Sequence, residues 1–178
     1  MKTEDLKSKI RNVPDFPIKG IMFRDITTLI NDSDAFRHVI DHLHGRYRDK
    51  GIDRVVGIES RGFIFGGALA DRLECGFVIA RKPGKLPADT VEESYDLEYG
   101  KATLQIHTDS IKPGEKVLII DDLLATGGTL AATAKLVERL RGEIVEIVVI
   151  IELTFLRGGD LLKNYQVYSM IQYESEEG

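Results

Sequence analysis

The sequence predicts an α/β fold with a mainly parallel, twisted sheet flanked by helices, on three observations. First, aliphatic runs of strand length recur at Val55-Val56-Gly57-Ile58, Phe77-Val78-Ile79-Ala80, Val117-Leu118-Ile119-Ile120 and Ile147-Val148-Val149-Ile150-Ile151. Runs that are apolar throughout, rather than alternating with polar residues, are strands buried on both faces. Second, the segments between them carry apolar residues three and four apart, as in Phe36, Val39, Ile40, Leu43 and Tyr47, or Leu130, Ala134, Val137 and Leu140. That spacing places one apolar stripe on a helix. Third, polar residues and glycines gather where strands end and helices begin, the edge at which open parallel sheets bind ligands. Strands alternating with helices then give a parallel sheet with right-handed crossovers.

Taken in order, Thr3 to Ile10 has Leu6 and Ile10 four apart and predicts a short amphipathic helix, broken by Pro14-Asp15-Phe16-Pro17. Gly20-Ile21-Met22-Phe23-Arg24-Asp25-Ile26-Thr27 is an apolar patch interrupted by an Arg-Asp pair, which on spacing alone is a surface ion pair beside a hydrophobic anchor. Ser33 is placed to cap the next helix. His38, His42 and His44 lie on that helix without a converging Cys or an H-E-x-x-H pattern, so they are assigned to a solvated face rather than a metal site. The first core strand, Arg54 to Ile58, runs into Glu59-Ser60-Arg61-Gly62 and a helix from Phe63 to Leu73. A second strand, Phe77 to Ala80, ends in Arg81-Lys82-Pro83-Gly84-Lys85. Pro87 to Gly100 is expected to form a long polar, acid-rich loop, followed by a half-exposed strand at Thr103 to His107, together making a hairpin flap. After the central strand and its helix come strands at Glu143 to Ile151 and Gln166 to Tyr173, joined by a connection through Leu153 to Gly159. Residues Glu174 to Gly178 are expected to be disordered.

The 178 residues fit a single domain, residues 1–178, with enough length for a sizeable core. A net charge of −5 gives no global field to recruit nucleic acid or an acidic membrane surface, so an anionic substrate has to be met by a local basic cluster. Arg61, Arg81, Lys82 and Lys85 supply one, suited to a pyrophosphate. The single cysteine, Cys75, fits a reducing, cytoplasmic environment and a small packed residue rather than a nucleophile. The N-terminal residues lack the apolar core of a signal peptide, and the longest apolar run is too short for a membrane span.

The stretch Val117 to Thr129 carries the chemistry. Four aliphatic residues lead to Asp121 and Asp122, then Leu123-Leu124-Ala125-Thr126-Gly127-Gly128-Thr129 opens onto a helix. A helix N-terminus presents unpaired backbone N–H groups and a positive dipole end; two glycines clear space for an anion, and Thr126 and Thr129 add hydroxyls. The pattern is neither a Walker A loop nor a dinucleotide fingerprint.

This run of hydrophobic strand, Asp-Asp, small residues and Thr-Gly-Gly-Thr resembles the signature of the type I phosphoribosyltransferases. The resemblance extends in order along nearly the whole chain: Phe16-Pro17, Phe23-Arg24-Asp25-Ile26, Ser60-Arg61-Gly62-Phe63, Ile79 to Pro87, Ser94 to Lys101, the Asp-Asp loop, and Glu152-Leu153-Thr154. It points to members that act on adenine. It implies the type I phosphoribosyltransferase fold with a small hood, about residues 1–30, covering the base, and a flexible flap at about residues 82–107. Asp121 and Asp122 are then expected at the ribose hydroxyls and the loop Ala125, Thr126, Gly127, Gly128 and Thr129 at the 5′-phosphate. Ser60, Arg61, Arg81, Lys82 and Lys85 are expected at the pyrophosphate, some acting across a homodimer boundary. Met22, Phe23, Arg24 and Leu153 are expected to form the adenine pocket, with the Met22 backbone at the base edge and Phe23 and Leu153 on its faces. Glu98 is expected as the acid–base group, beside Tyr99 of the flap.

The implied reaction moves the 5-phosphoribosyl group of phosphoribosyl pyrophosphate onto adenine, giving AMP and pyrophosphate. Mg²⁺ is expected on the oxygens of the substrate, without a protein cage. Alternatives are the same transfer to hypoxanthine, guanine or xanthine, or a ligand-sensing relative that does not catalyse. Neither nucleic acid nor a membrane is expected as a partner.

Overall fold

The structure is a computed structural model and describes residues 3–96 and 100–176. A five-stranded, wholly parallel sheet forms its centre. In chain order its strands are β3 (Arg54–Ile58), β4 (Gly76–Ala80), β7 (Lys116–Leu124), β8 (Glu143–Leu153) and β9 (Val167–Tyr173), arranged β4-β3-β7-β8-β9. The remaining strands make two antiparallel pairs: β1 (Arg11–Pro14) with β2 (Met22–Asp25), and β5 (Thr90–Asp96) with β6 (Lys101–His107). The helices are α1 (Thr3–Lys7), α2 (Thr27–Asn31), α3 (Ser33–Tyr47), α4 (Gly62–Arg72) and α5 (Gly128–Arg139). Two 3₁₀ turns, Thr154–Leu156 and Gly158–Leu162, link β8 to β9.

The apolar runs explain the layering. On β7, Leu118 and Ile120 face a core built with Val39 and Leu43 of α3 and Phe65 and Leu69 of α4. Val117 and Ile119 face the opposite side, where Leu130, Leu136 and Val137 of α5 and Ile106 of β6 pack. Alternate side chains of one strand thus feed two cores, which is why the sequence is apolar at every position. Each fully buried aliphatic side chain contributes about 2 kcal/mol, and this doubled burial fixes β7 at the centre.

Several expectations need correction. The cap of α3 is Asp32, not Ser33: its carboxylate accepts from the N–H groups of Asp34 and Ala35 at 3.1 and 3.0 Å. Arg24 and Asp25 do not form an ion pair with each other, because successive strand residues point to opposite faces. Asp25 instead pairs with Arg11 and accepts from Thr27, while Arg24 is buried against Tyr173, 4.2 Å from its ring. Half of the long acid-rich loop is strand β5, which pairs through Thr90 to Asp96 with β6. The alternation of side chains in Thr-Val-Glu-Glu-Ser-Tyr-Asp is a strand pattern that its acidic composition disguised. Expected disorder from Glu174 onward fails at Glu176, whose carbonyl accepts from Arg24 Nη2 at 2.6 Å; residues 177–178 lie outside those described.

Candidate functional site

The ends of β3 and β7 and the start of α5 enclose a cleft of about 500 Å³, lined by Ser60, Arg61, Lys82, Lys85, Asp121, Asp122 and the loop from Ala125 to Gly127 with Thr129. Parallel order places β3 beside β7, so the two strand ends whose chemistry stood out in the sequence open on one edge.

The central acids lie within their strand. β7 runs on to Leu124, pairing Leu123 with Ile151 and Leu124 with Glu152 of β8. Strand geometry sends adjacent side chains to opposite faces, and the two carboxylates differ accordingly. Asp121 is buried under α4, with its Oδ1 accepting from the Asp122 N–H at 2.9 Å. A Cβ on Gly62 would lie 2.9 Å from that oxygen, so the glycine lets α4 start directly against it. Burial first, and the Asp122 charge second, push the Asp121 carboxyl well above the usual carboxylate range. Asp122 is paired with the Arg61 Nε at 2.5 Å. Burial works against the Arg61 charge, but Asp122 and Asp121 outweigh it and raise its pKa.

The loop after Leu124 turns at Gly127, which caps α5 with φ 86°. A side chain there would be strained by that φ, and its Cβ would also fall 2.3 Å from the carbonyl oxygen of Gly158. Conversely, a Cβ on Gly158 would fall 2.1 Å from the Ala125 carbonyl. The 3₁₀ turn beginning at Gly158 therefore buttresses the loop from behind. Expected as a plain connection, this segment carries in Gly158 the residue that allows so close an approach. The N-terminus of α5 opens at the cleft, an arrangement suited to a phosphate, with Thr129 on its lining and the Thr129 hydroxyl donating to Tyr95 Oη.

The basic residues are organised by a carboxylate that the sequence reading did not single out. Glu59 accepts from the Lys82 N–H at 2.7 Å, from Arg81 Nε at 3.0 Å and from Lys85 Nζ at 3.3 Å. Burial alone would raise its pKa, but these three donors together outweigh it and hold it below the ordinary value. The peptide bond between Glu59 and Ser60 is cis. Three of the four cations at this edge thus have carboxylate partners in the chain.

Met22, Phe23, Arg24 and Leu153 do not line this cleft. Met22 borders a separate hollow of about 170 Å³ with Pro14, Asp15, Gly20, Ile21 and Glu176. Phe23 meets Phe16 edge to face at 5.0 Å, and Leu153 ends β8. Arg24 bonds Asn12 Oδ1 at 2.6 Å and the Glu176 carbonyl, tying the hood to the end of β9. Glu98 and Tyr99 lie outside the described residues. Among the described residues no group of three or more His, Cys, Asp or Glu side chains is arranged to hold a metal, and no helix is long and apolar enough to cross a membrane.

Comparison with known proteins agrees with this geometry. A profile of the phosphoribosyl transferase domain matches residues 27–176. An adenine phosphoribosyltransferase of Trichlorobacter lovleyi is 57% identical over 170 residues, covering 96% of this chain and 99% of the relative. The crystal structure of adenine phosphoribosyltransferase from Thermoanaerobacter pseudethanolicus superposes with a TM-score of 0.93 at 48% identity, covering 97% of this chain and 100% of that one. That of the Saccharomyces cerevisiae enzyme, complexed with D-2,5-dideoxy-2,5-imino-altritol 1,6-bisphosphate and adenine, gives 0.90 at 39% identity over 95% and 98% of the two chains. With its phosphate loop, paired acids and basic edge on one cleft, and with these likenesses over nearly its full length, this chain belongs to the phosphoribosyl transferase family and to the adenine phosphoribosyltransferase group within it.

Proposed function

We propose that this protein transfers the 5-phosphoribosyl group of phosphoribosyl pyrophosphate to adenine, yielding AMP and pyrophosphate. The observation that carries the reading is the pairing of a backbone phosphate loop, Ala125 to Thr129, with two carboxylates and a cationic segment around a single cleft. The loop holds the 5′-phosphate, Asp121 and Asp122 accept from the ribose hydroxyls, and Arg61, Lys82 and Lys85 take the leaving pyrophosphate with Ser60 and Arg81. Adenine lies against Phe23 and Leu153, its edge at the Met22 backbone, with Arg24 holding that strand in place. Support for the base comes from the relatives, which are adenine phosphoribosyltransferases.

Departure of pyrophosphate leaves cationic character on the sugar, as in glycoside hydrolysis. The chain's contribution is to position both substrates, to neutralise the leaving group and to exclude water while the sugar is reactive. Glu98 is assigned the proton transfer at the base, and Tyr99 joins it in closing the flap. Mg²⁺ bound to substrate oxygens would add positive charge at the pyrophosphate. The donor set fits that arrangement: Asp121 and Asp122 offer carboxylates at the cleft without a three-ligand cage, and Mg²⁺ retains water and substrate ligands. A homodimer in the cytoplasm completes the reading, with exposed Ile64 on α4 as an apolar contact.

The test is pyrophosphate release from phosphoribosyl pyrophosphate and Mg²⁺ with adenine, hypoxanthine, guanine or xanthine. Release with adenine alone is expected; release with another base overturns the pocket assignment. Turnover by Glu98→Gln close to that of the parent overturns the acid–base role.

A further inference from the structure

We propose that Tyr95 of the flap strand is a positioning residue of the phosphate site, fixing the Thr129 hydroxyl and adding its own phenol to the phosphomonoester's surroundings. The inference rests on the proposed reaction and extends its phosphate site from the loop to β5.

Three observations carry it. Thr129 Oγ1 donates to Tyr95 Oη at 3.1 Å, which fixes that hydroxyl at the N-terminus of α5 and leaves the phenol proton free to donate. The Tyr95 ring borders the same cleft as Asp121, Thr126 and Gly127. A Cβ on Gly128 would lie 2.9 Å from Tyr95 Cδ2. The second glycine of the loop therefore makes room for the flap's aromatic ring as well as for an anion.

The strand is held in place by contacts independent of the cleft. Glu93 shares a face of β5 with Tyr95, two residues away. Its carboxylate is held by Lys135 Nζ at 3.1 Å and by Arg139 Nη2, while Arg139 Nη1 donates to the Glu92 carbonyl. Lys135 and Arg139 are one turn apart on α5, so β5 lies along the helix with Tyr95 at its N-terminal end and Glu93 further down. A phenol so placed stands at the N-terminal end of α5, beside Thr129 and Gly128, where it can add a hydrogen bond to a charged group.

Tyr95→Phe keeps the ring over Gly128 and removes only the hydroxyl. Ribose 5-phosphate binding by calorimetry, with the unphosphorylated ribose as control, is measured for the parent, Tyr95→Phe, Thr129→Val and the double variant, alongside steady-state kinetics and thermal midpoints. The expected result is a ten- to hundredfold weaker ribose 5-phosphate affinity for Tyr95→Phe. The same loss should appear in KM for phosphoribosyl pyrophosphate, with KM for adenine and the midpoint unchanged. The double variant should lose less than the sum of the single losses, since the two hydroxyls act together. Unchanged affinity in Tyr95→Phe, or a loss confined to thermal stability, overturns the proposal while leaving the reaction intact. If the parent itself neither binds ribose 5-phosphate nor releases pyrophosphate, the reading of the cleft falls instead.

Discussion

The two ends of the cleft that we assign to phosphate and to pyrophosphate are built on opposite principles. At one end, the loop from Ala125 to Thr129 offers backbone N–H groups, held by close backbone packing against Gly158 and by a positive φ at Gly127. At the other, Arg61, Arg81 and Lys85 offer charged side chains, each already held by Asp122 or Glu59. A backbone cradle is ready before its ligand arrives, because its dipoles are fixed by the fold. A side-chain cluster with internal carboxylate partners has to exchange those partners for the ligand. The first end suits a group that stays bound through the reaction, and the second a group that has to leave.

The sharpest way to break the backbone end is Gly127→Ala. Its Cβ meets the Gly158 carbonyl and its φ is unfavourable for a side chain, so a loss of about 3 kcal/mol or more is expected. Urea denaturation measures it, and ribose 5-phosphate binding should vanish with it. Gly84→Ala is the control in the basic segment: φ is 81° with nothing within 4 Å, so about 1 kcal/mol is expected. Equal costs at the two sites would remove the distinction.

Asp122→Asn tests the residue shared by both ends. Losing the charge removes the partner of Arg61 and, in the proposed reaction, an acceptor for the donor sugar, and phosphoribosyl pyrophosphate affinity should fall about ten- to hundredfold. Asp121→Asn should do something different. Burial and the neighbouring charge raise the Asp121 pKa, so its ionised form is disfavoured in the folded chain. Its contribution to stability falls as pH rises from the unfolded value, about 3.9, toward the raised folded value. The variant, which keeps the acceptor for the Asp122 N–H, should therefore gain stability relative to the parent as pH rises, by about 1 kcal/mol. Thermal midpoints across pH measure this, and a constant difference would contradict the assigned cause.

The smallest effect sharpens the side-chain end. Glu59→Gln releases Arg81 and Lys85 from a carboxylate, and pyrophosphate should bind about two- to fivefold more tightly, with a steeper salt dependence. If affinity falls instead, Glu59 organises the segment rather than restraining it, and the two ends are more alike than they look. The folded pKa of Glu59 is lowered, so the stability that its charge contributes is present above the unfolded value, about 4.3, and lost as pH falls through the folded value. The difference in midpoint between parent and variant should close over that interval.

The phosphate loop was legible in the sequence because everything that makes it is contiguous: a buried strand, two acids, small residues and a helix start fall within Val117 to Thr129. Glu59 was not, because a carboxylate before a helix is unremarkable until β3 and β4 pair in parallel and bring Ala80 beside Ile58. The same holds for Arg24. Its sequence neighbour Asp25 suggested a pair, whereas its partners Asn12 and Glu176 are reached only when β1 pairs with β2 and the chain's last described residues fold back.

By itself, then, the sequence determined the α/β class, the strand ends that open on one cleft and the residue types that gather there, since periodicity and contiguous motifs depend on neighbours along the chain. Tertiary structure alone decided that Gly158 braces the loop, that Tyr95 lies over Gly128, and that Glu59 and Asp122 hold the cations. Those contacts join residues 22 to 61 positions apart, fixed by strand order and by the packing of β5 on α5. Local periodicity carries no record of which distant side chain a charge or a glycine will meet.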